Sequence, residues 1–186
     1  QLKAQSNMKV ALFIIALLSS LLFGSCNSEP TLQKYFVENT ENKDFIALDI
    51  SSNILNVDKT KLTVAQSEAL HPFDKVNVLA FKLNDKNKAQ FETERAKVNL
   101  ILKDPRYQQL MKFGSGKQGA SVSYVGTDDN INEFVFFANK NDAGFAVVRV
   151  LGKDMNPTHI MNMISVLKES KIDLEQLKPL QELIKK

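Results

Sequence analysis

Two histidines, one cysteine and one glycine-rich loop are the residues here whose types invite chemistry. A hydrolytic triad needs an imidazole held between a nucleophile and a carboxylate, and only His71 and His159 can supply it. His71 precedes Pro72 in a turn. His159 falls in the first turn of a helix opened by Asn156-Pro157, where a neutral imidazole suits the positive end of the helix dipole. The chain has no G-x-S-x-G, no H-E-x-x-H and no paired C-x-x-C. Surface or capping roles are therefore expected for both histidines, which stay as ligand candidates beside Arg149. That arginine interrupts the apolar run Phe145 to Val150, so its charge must reach solvent or a carboxylate. It reads as the mark of an exposed sheet face, with a ligand contact as the alternative.

Two loops imitate binding motifs and fail on spacing. Gly114-Ser115-Gly116-Lys117-Gln118-Gly119 suggests a phosphate cradle, but Met111 stands where the first glycine belongs and Gln118 where Ser or Thr belongs. A turn into the next strand is the expectation. Asp128, Asn130 and Asn132 alternate as the opening of a calcium loop would, yet Glu133 occupies the glycine place and Asn139 the final carboxylate place. A hairpin turn is expected there too. No catalytic residue, metal or cofactor is assigned.

The 24 Lys and Arg against 21 Asp and Glu, with 44% hydrophobic residues in 186, describe one globular domain of ordinary composition. A net charge of +3 is too small and too evenly spread for a nucleic-acid surface. One cysteine excludes an intrachain disulfide framework and a cysteine-rich zinc site. Twelve Phe, three Tyr and no Trp weaken a sugar platform built on indole stacking.

The cysteine has a context of its own. Met8 is a natural start, Lys9 a minimal positive region, and Val10 to Phe23 an apolar run, shorter than the ~20 residues that cross a bilayer as a helix. That layout is a secretory signal. Leu22-Phe23-Gly24-Ser25-Cys26 then resembles the lipobox of bacterial lipoproteins, departing from the commoner residues at Phe23 and Gly24. The resemblance implies that Cys26 is lipidated and becomes the first residue, an anchor and not a nucleophile. Each buried methylene of an acyl chain adds about 0.8 kcal/mol, so several chains hold a domain on a membrane without a spanning helix. Removing residues 1–25 takes away Lys3 and Lys9 and no acidic residue, leaving a nearly neutral domain.

The organisation expected is a signal peptide over 1–25, a lipidated N-terminus and polar tether over 26–43, and a single domain over 44–186. Phe45 to Ile50 and Val76 to Phe81 read as strands, the second apolar on both faces. Thr63-Val64-Ala65-Gln66 has the capping-box pattern of a short helix ending near His71-Pro72. Asp85 to Lys103 is the longest expected helix: Phe91, Val98, Ile101 and Leu102 share a face, and Glu92 with Arg95 and Glu94 with Lys97 pair three apart. Ala120 to Val125, Glu133 to Ala138 and Phe145 to Leu151 form an antiparallel meander. Gly144 is suited to a positive φ in its turn. Asn156-Pro157 starts a helix with the stripe Ile160, Met163, Ile164 and Leu167, and a shorter amphipathic tail carries Leu174, Leu177, Leu180 and Ile184. The fold class is α+β, a mostly antiparallel five-stranded sheet with helices packed on one face. A parallel pairing of the first two strands stays open.

The lipobox, VNVLAFK, the long helix and EFVFFANKNDAGFAVVRVLGKDMNPTHIMNMI together resemble a family of small exported proteins of Bacteroidetes known as domain of unknown function 4252. The resemblance covers most of the mature chain. It is sharpest at the paired apolar strands, Val150-Leu151-Gly152 and the capped helix, which are structural. It implies an envelope lipoprotein without established activity, cofactor or catalytic residues. Asn27-Ser28-Glu29-Pro30 holds a single acidic residue after the cysteine, which leans toward an outer-membrane anchor with the domain facing the periplasm. The reading is a non-enzymatic module joined to the membrane through Cys26, meeting another envelope protein or a small ligand. The alternatives are a hydrolase or ligand-sensing enzyme using His71 or His159, and an accessory of envelope stress signalling.

Overall fold

The computed structural model describes residues 29–51, 63–114 and 118–162. The chain divides into Gln1–Pro30 and Thr31–Lys186, and the elements below belong to the second unit. Six strands run in the order β1 (Phe45–Ser51), β2 (Phe73–Lys82), β6 (Gly144–Met155), β5 (Asn130–Lys140), β4 (Gly119–Thr127) and β3 (Gln108–Gly114) across one sheet. Every neighbouring pair is antiparallel, β1 with β2 included. Three helices accompany them, α1 (Leu32–Asn39), α2 (Val64–Leu70) and α3 (Lys88–Ile101), and residues 157–162 are again helical. No helix among the described residues is long and apolar enough to cross a membrane.

The strands apolar on both sides are buried on both sides. Leu79 and Phe81 of β2, Val135 and Phe137 of β5, and Phe145 and Val147 of β6 share one core with α1 and α3. Phe145 is the hub of its aromatic contacts, stacked on Phe81 at 5.5 Å and meeting Phe91 of α3 at 6.1 Å. Intervening residues on the same strands, Phe134 and Val150, turn the other way and pack with Phe73, Ile131, Met155 and Ile160. Leu70 of α2 joins that second core. The two longer helices thus share a face, while Leu70 and Ile160 serve the opposite one, so helices are not confined to the one face that the sequence reading predicts. The i,i+3 pairs on α3 form, Arg95 with Glu92 and Lys97 with Glu94, the latter at 2.7 Å.

Three departures from the sequence reading matter for the site. The sheet has six strands, not five: β3 forms where no strand was expected, because its seven residues are all exposed and leave no buried alternation to read. The segment read as part of a tether, 31–43, holds α1. Thr31 caps it by accepting the Lys34 N–H at 3.2 Å, and Leu32, Tyr35, Phe36 and Asn39 form its buried stripe. Finally, α3 starts at Lys88 instead of Asp85. At the β5–β6 turn Gly144 has φ 131°, and a Cβ there would stand 1.9 Å from the Phe81 carbonyl oxygen. Only glycine lets β2 and β6 close at that corner. Cys26, the loop residues 115–117, the stripe beyond Ile160 and the tail with Leu174 lie outside the described residues.

Candidate functional site

Arg149 is the first residue to place, and it corrects its own expectation. It stands mid-strand on β6 between Asn77 of β2 and Val135 of β5, and is 4% exposed. Glu133, one residue pair along β5 and 9% exposed, takes the guanidinium side-on: Nε donates to Oε1 at 2.6 Å and Nη2 to Oε2 at 3.2 Å. The remaining Nη1 donates to Gln33 Oε1 of α1 at 2.7 Å, and the charge lies 5.3 Å from the Phe36 ring centroid. The face read as open is covered by α1, so the arginine is committed to internal partners. Beside it Asn77 donates to Asp49, and the Tyr107 hydroxyl accepts the Leu32 N–H at 3.3 Å. Burial raises the Tyr107 phenol. Tyr35 of α1 donates to Glu94 Oε2 of α3 at 2.9 Å, and burial, then that carboxylate, drives its phenol far above the ordinary range. This polar layer clamps α1 to the sheet.

Neither histidine meets a carboxylate among the described residues. His71 is exposed in the turn after α2, its N–H donating to the Glu68 carbonyl at 3.2 Å. The His159 ring closes a helix cap: Nδ1 accepts the Asn156 N–H at 3.2 Å while the His159 N–H donates to Asn156 Oδ1 at 3.1 Å. That is the reciprocal logic of a capping box with histidine in the glutamate place. Asp128, from the loop that imitates a calcium site, accepts the Tyr124 hydroxyl, and among the described residues no cluster of three or more His, Cys, Asp or Glu could hold a metal.

What sequence reasoning missed lies at the β3 end of the sheet. The last turn of α3 stops short of covering β3, β4 and β5 there, and a cavity of about 150 Å³ opens between them. Asn99 and Lys103 reach it from α3 and its end, Lys112 from β3, Ser121 and Ser123 from β4, and Asn139 from β5, over an apolar wall that includes Leu102 and Phe137. No carboxylate lines it. Ser123 is buried, and the buried Asn139 Oδ1 has no hydrogen-bond partner. The contributors come from four separate segments, so no local spacing announces them. Just outside, β3 is an edge strand carrying exposed Leu110 (41%), Met111 (45%) and Phe113 (60%).

An antiparallel six-stranded sheet with helices against it defines an α+β domain. The family model for a domain of unknown function, DUF4252, matches residues 35–163, from α1 through the helical turn after β6, and the chain belongs to that family. No curated protein and no solved structure matches the chain.

Proposed function

We propose that this protein is a lipid-anchored lipoprotein of the cell envelope whose sheet domain is a non-enzymatic binding module, contacting another envelope protein through the exposed edge strand β3. The observation that carries the binding role is the edge itself. Seven consecutive residues are exposed, three are large and apolar, and Lys112 supplies the single charge. Soluble domains ordinarily protect such edges with charge, proline or a covering element, and an added strand is a common way to occupy them. The anchor rests on Cys26 at the end of an apolar run, and the outer-membrane, periplasm-facing placement on the lone Glu29 that follows. The engagement of His159 in a cap and the exposure of His71 favour a binding role over a histidine-dependent hydrolase.

The test expresses the full chain, Cys26→Ala and the edge variant Leu110→Lys/Met111→Glu in the native envelope, with membrane flotation and pull-down from gently solubilised membranes. Wild type floats with membranes and retains a specific envelope partner. Cys26→Ala stops floating, and the edge variant floats but loses the partner. A Cys26→Ala chain that still floats refutes the anchor, and a partner retained by the edge variant refutes the edge.

A further inference from the structure

We propose that the cavity between the end of α3 and strands β3, β4 and β5 is a binding site for a small hydroxylated anion, a ring of sugar size carrying one acidic group. Its charge selects the sign. Lys103 and Lys112 approach from opposite walls, neither has an ion-pair partner among the described residues, and no carboxylate lines the space. Its polar floor selects the hydroxyls. Asn139 Oδ1 is a buried acceptor without a donor, which a bare anion would repel and a hydroxyl would satisfy. Ser121 and Ser123 stand on the same face of β4 and both donate and accept. Its apolar wall, Leu102 with Phe137, suits the C–H face of a sugar ring. About 150 Å³ is below the ~300–1,000 Å³ of drug-sized sites, so one ring fits and a longer oligomer would extend out of the mouth. The charge can come from a carboxylate or a phosphate, and the shared chemistry is a hydroxylated ring with one anionic substituent. This site is independent of Cys26 and of the residues changed in the edge variant.

The experiment titrates the full chain in detergent micelles with glucuronate, glucose 6-phosphate, glucose and inorganic phosphate, by calorimetry and by amide chemical shifts. Saturable binding of either acidic sugar is expected, with shifts at Ser123 and Asn139, and which one binds identifies the source of the charge. Glucose and inorganic phosphate each bind at least about tenfold more weakly, since each lacks one half of the recognition. Lys103→Met/Lys112→Met weakens binding at least about tenfold. Asn139→Asp, nearly isosteric, abolishes it by placing a carboxylate in the cavity, and the unchanged amide spectrum elsewhere shows that the variant is folded. The proposal is overturned if neither acidic sugar binds saturably up to about 10 mM, if inorganic phosphate binds as tightly as the sugar phosphate, or if the lysine variant binds like wild type. An envelope partner retained by the edge variant, with sugar binding intact, would overturn the edge reading alone.

Discussion

Glu133→Leu probes the clamp beneath α1 most directly. It removes the carboxylate that takes two hydrogen bonds from Arg149 and leaves a guanidinium only 4% exposed, held by Gln33 and the Phe36 ring. Deleting one partner of a buried ion pair costs about 3–5 kcal/mol, because the other charge stays buried and uncompensated. Gln33 and Phe36 keep part of the compensation, so the lower end, about 3 kcal/mol, is the expectation. At about 2–4 °C per kcal/mol for a domain of this size, the melting temperature falls by about 6–12 °C. Arg149→Met is milder: an abandoned carboxyl can neutralise itself by taking up a proton, and a guanidinium cannot. Glu133→Leu/Arg149→Met lies within about 1 kcal/mol of wild type or above it, since apolar replacements of a buried pair are often neutral or better. Urea unfolding followed by circular dichroism reads all four corners of this cycle, as midpoint shifts at constant slope. A Glu133→Leu loss below about 1 kcal/mol, or a double variant as unstable as the sum of its parts, would refute the burial argument.

Tyr35→Phe keeps the edge contact with Phe45 but leaves buried Glu94 with Lys97 alone; a loss of about 1–3 kcal/mol is expected in the same unfolding assay. The raised Tyr35 phenol contributes stability present below its ordinary value of 10.0 and lost only as pH climbs toward the folded value. Phenolate absorbance from Tyr35 should therefore be missing above pH 10 for as long as the fold persists. Asp104 accepts the Arg106 Nε and backbone N–H, each at 2.9 Å, and Arg106 lowers its carboxyl to about 2. Its share of stability is present above the ordinary 3.8 and lost as pH falls through about 2. A carbon-detected titration should show that low midpoint, with Arg106→Gln moving it upward; a wild-type midpoint at 3.8 would contradict the geometry. Gly144→Ala forces a Cβ against the Phe81 carbonyl at positive φ, costing more than about 1 kcal/mol of stability.

Wherever local pattern and burial agree, the sequence was legible. VNVLAFK reads as a strand buried on both faces because Leu79 and Phe81 enter one core while Val76 packs toward the other. The long helix is visible in its apolar stripe and its charge pairs, all of which form. The signal for α1 was present, a Thr31 cap followed by Leu32, Tyr35, Phe36 and Asn39 at helical spacing, but the surrounding Asn and Glu residues hid it. Missing α1 meant misplacing Arg149, whose cover is that helix. The strand β3 was not legible, since pairing with β4 and not burial holds it in the sheet. The cavity was not legible either: Lys103, Lys112, Ser123 and Asn139 become neighbours only when α3 and three strands meet.

The strand order carries a consequence for how the chain acquires its structure. β6, the last strand made among the described residues, sits between β2 and β5, pairing Phe73 with Gly152 on one side and Ile131 with Met155 on the other. A chain emerging from its N-terminus can form the β1–β2 pair and the β3–β4–β5 meander, but these halves stay unjoined until residues 144–155 arrive. Contacts of such long sequence separation form late and slowly, because the loop must close before they stabilise anything. Phe145 and Val147, which complete the core around Leu79 and Phe81, therefore arrive only after α1, β1 and α3 have been made. Any truncation ahead of Gly144 leaves two sheet fragments with bare inner edges, and folding becomes an event timed by β6.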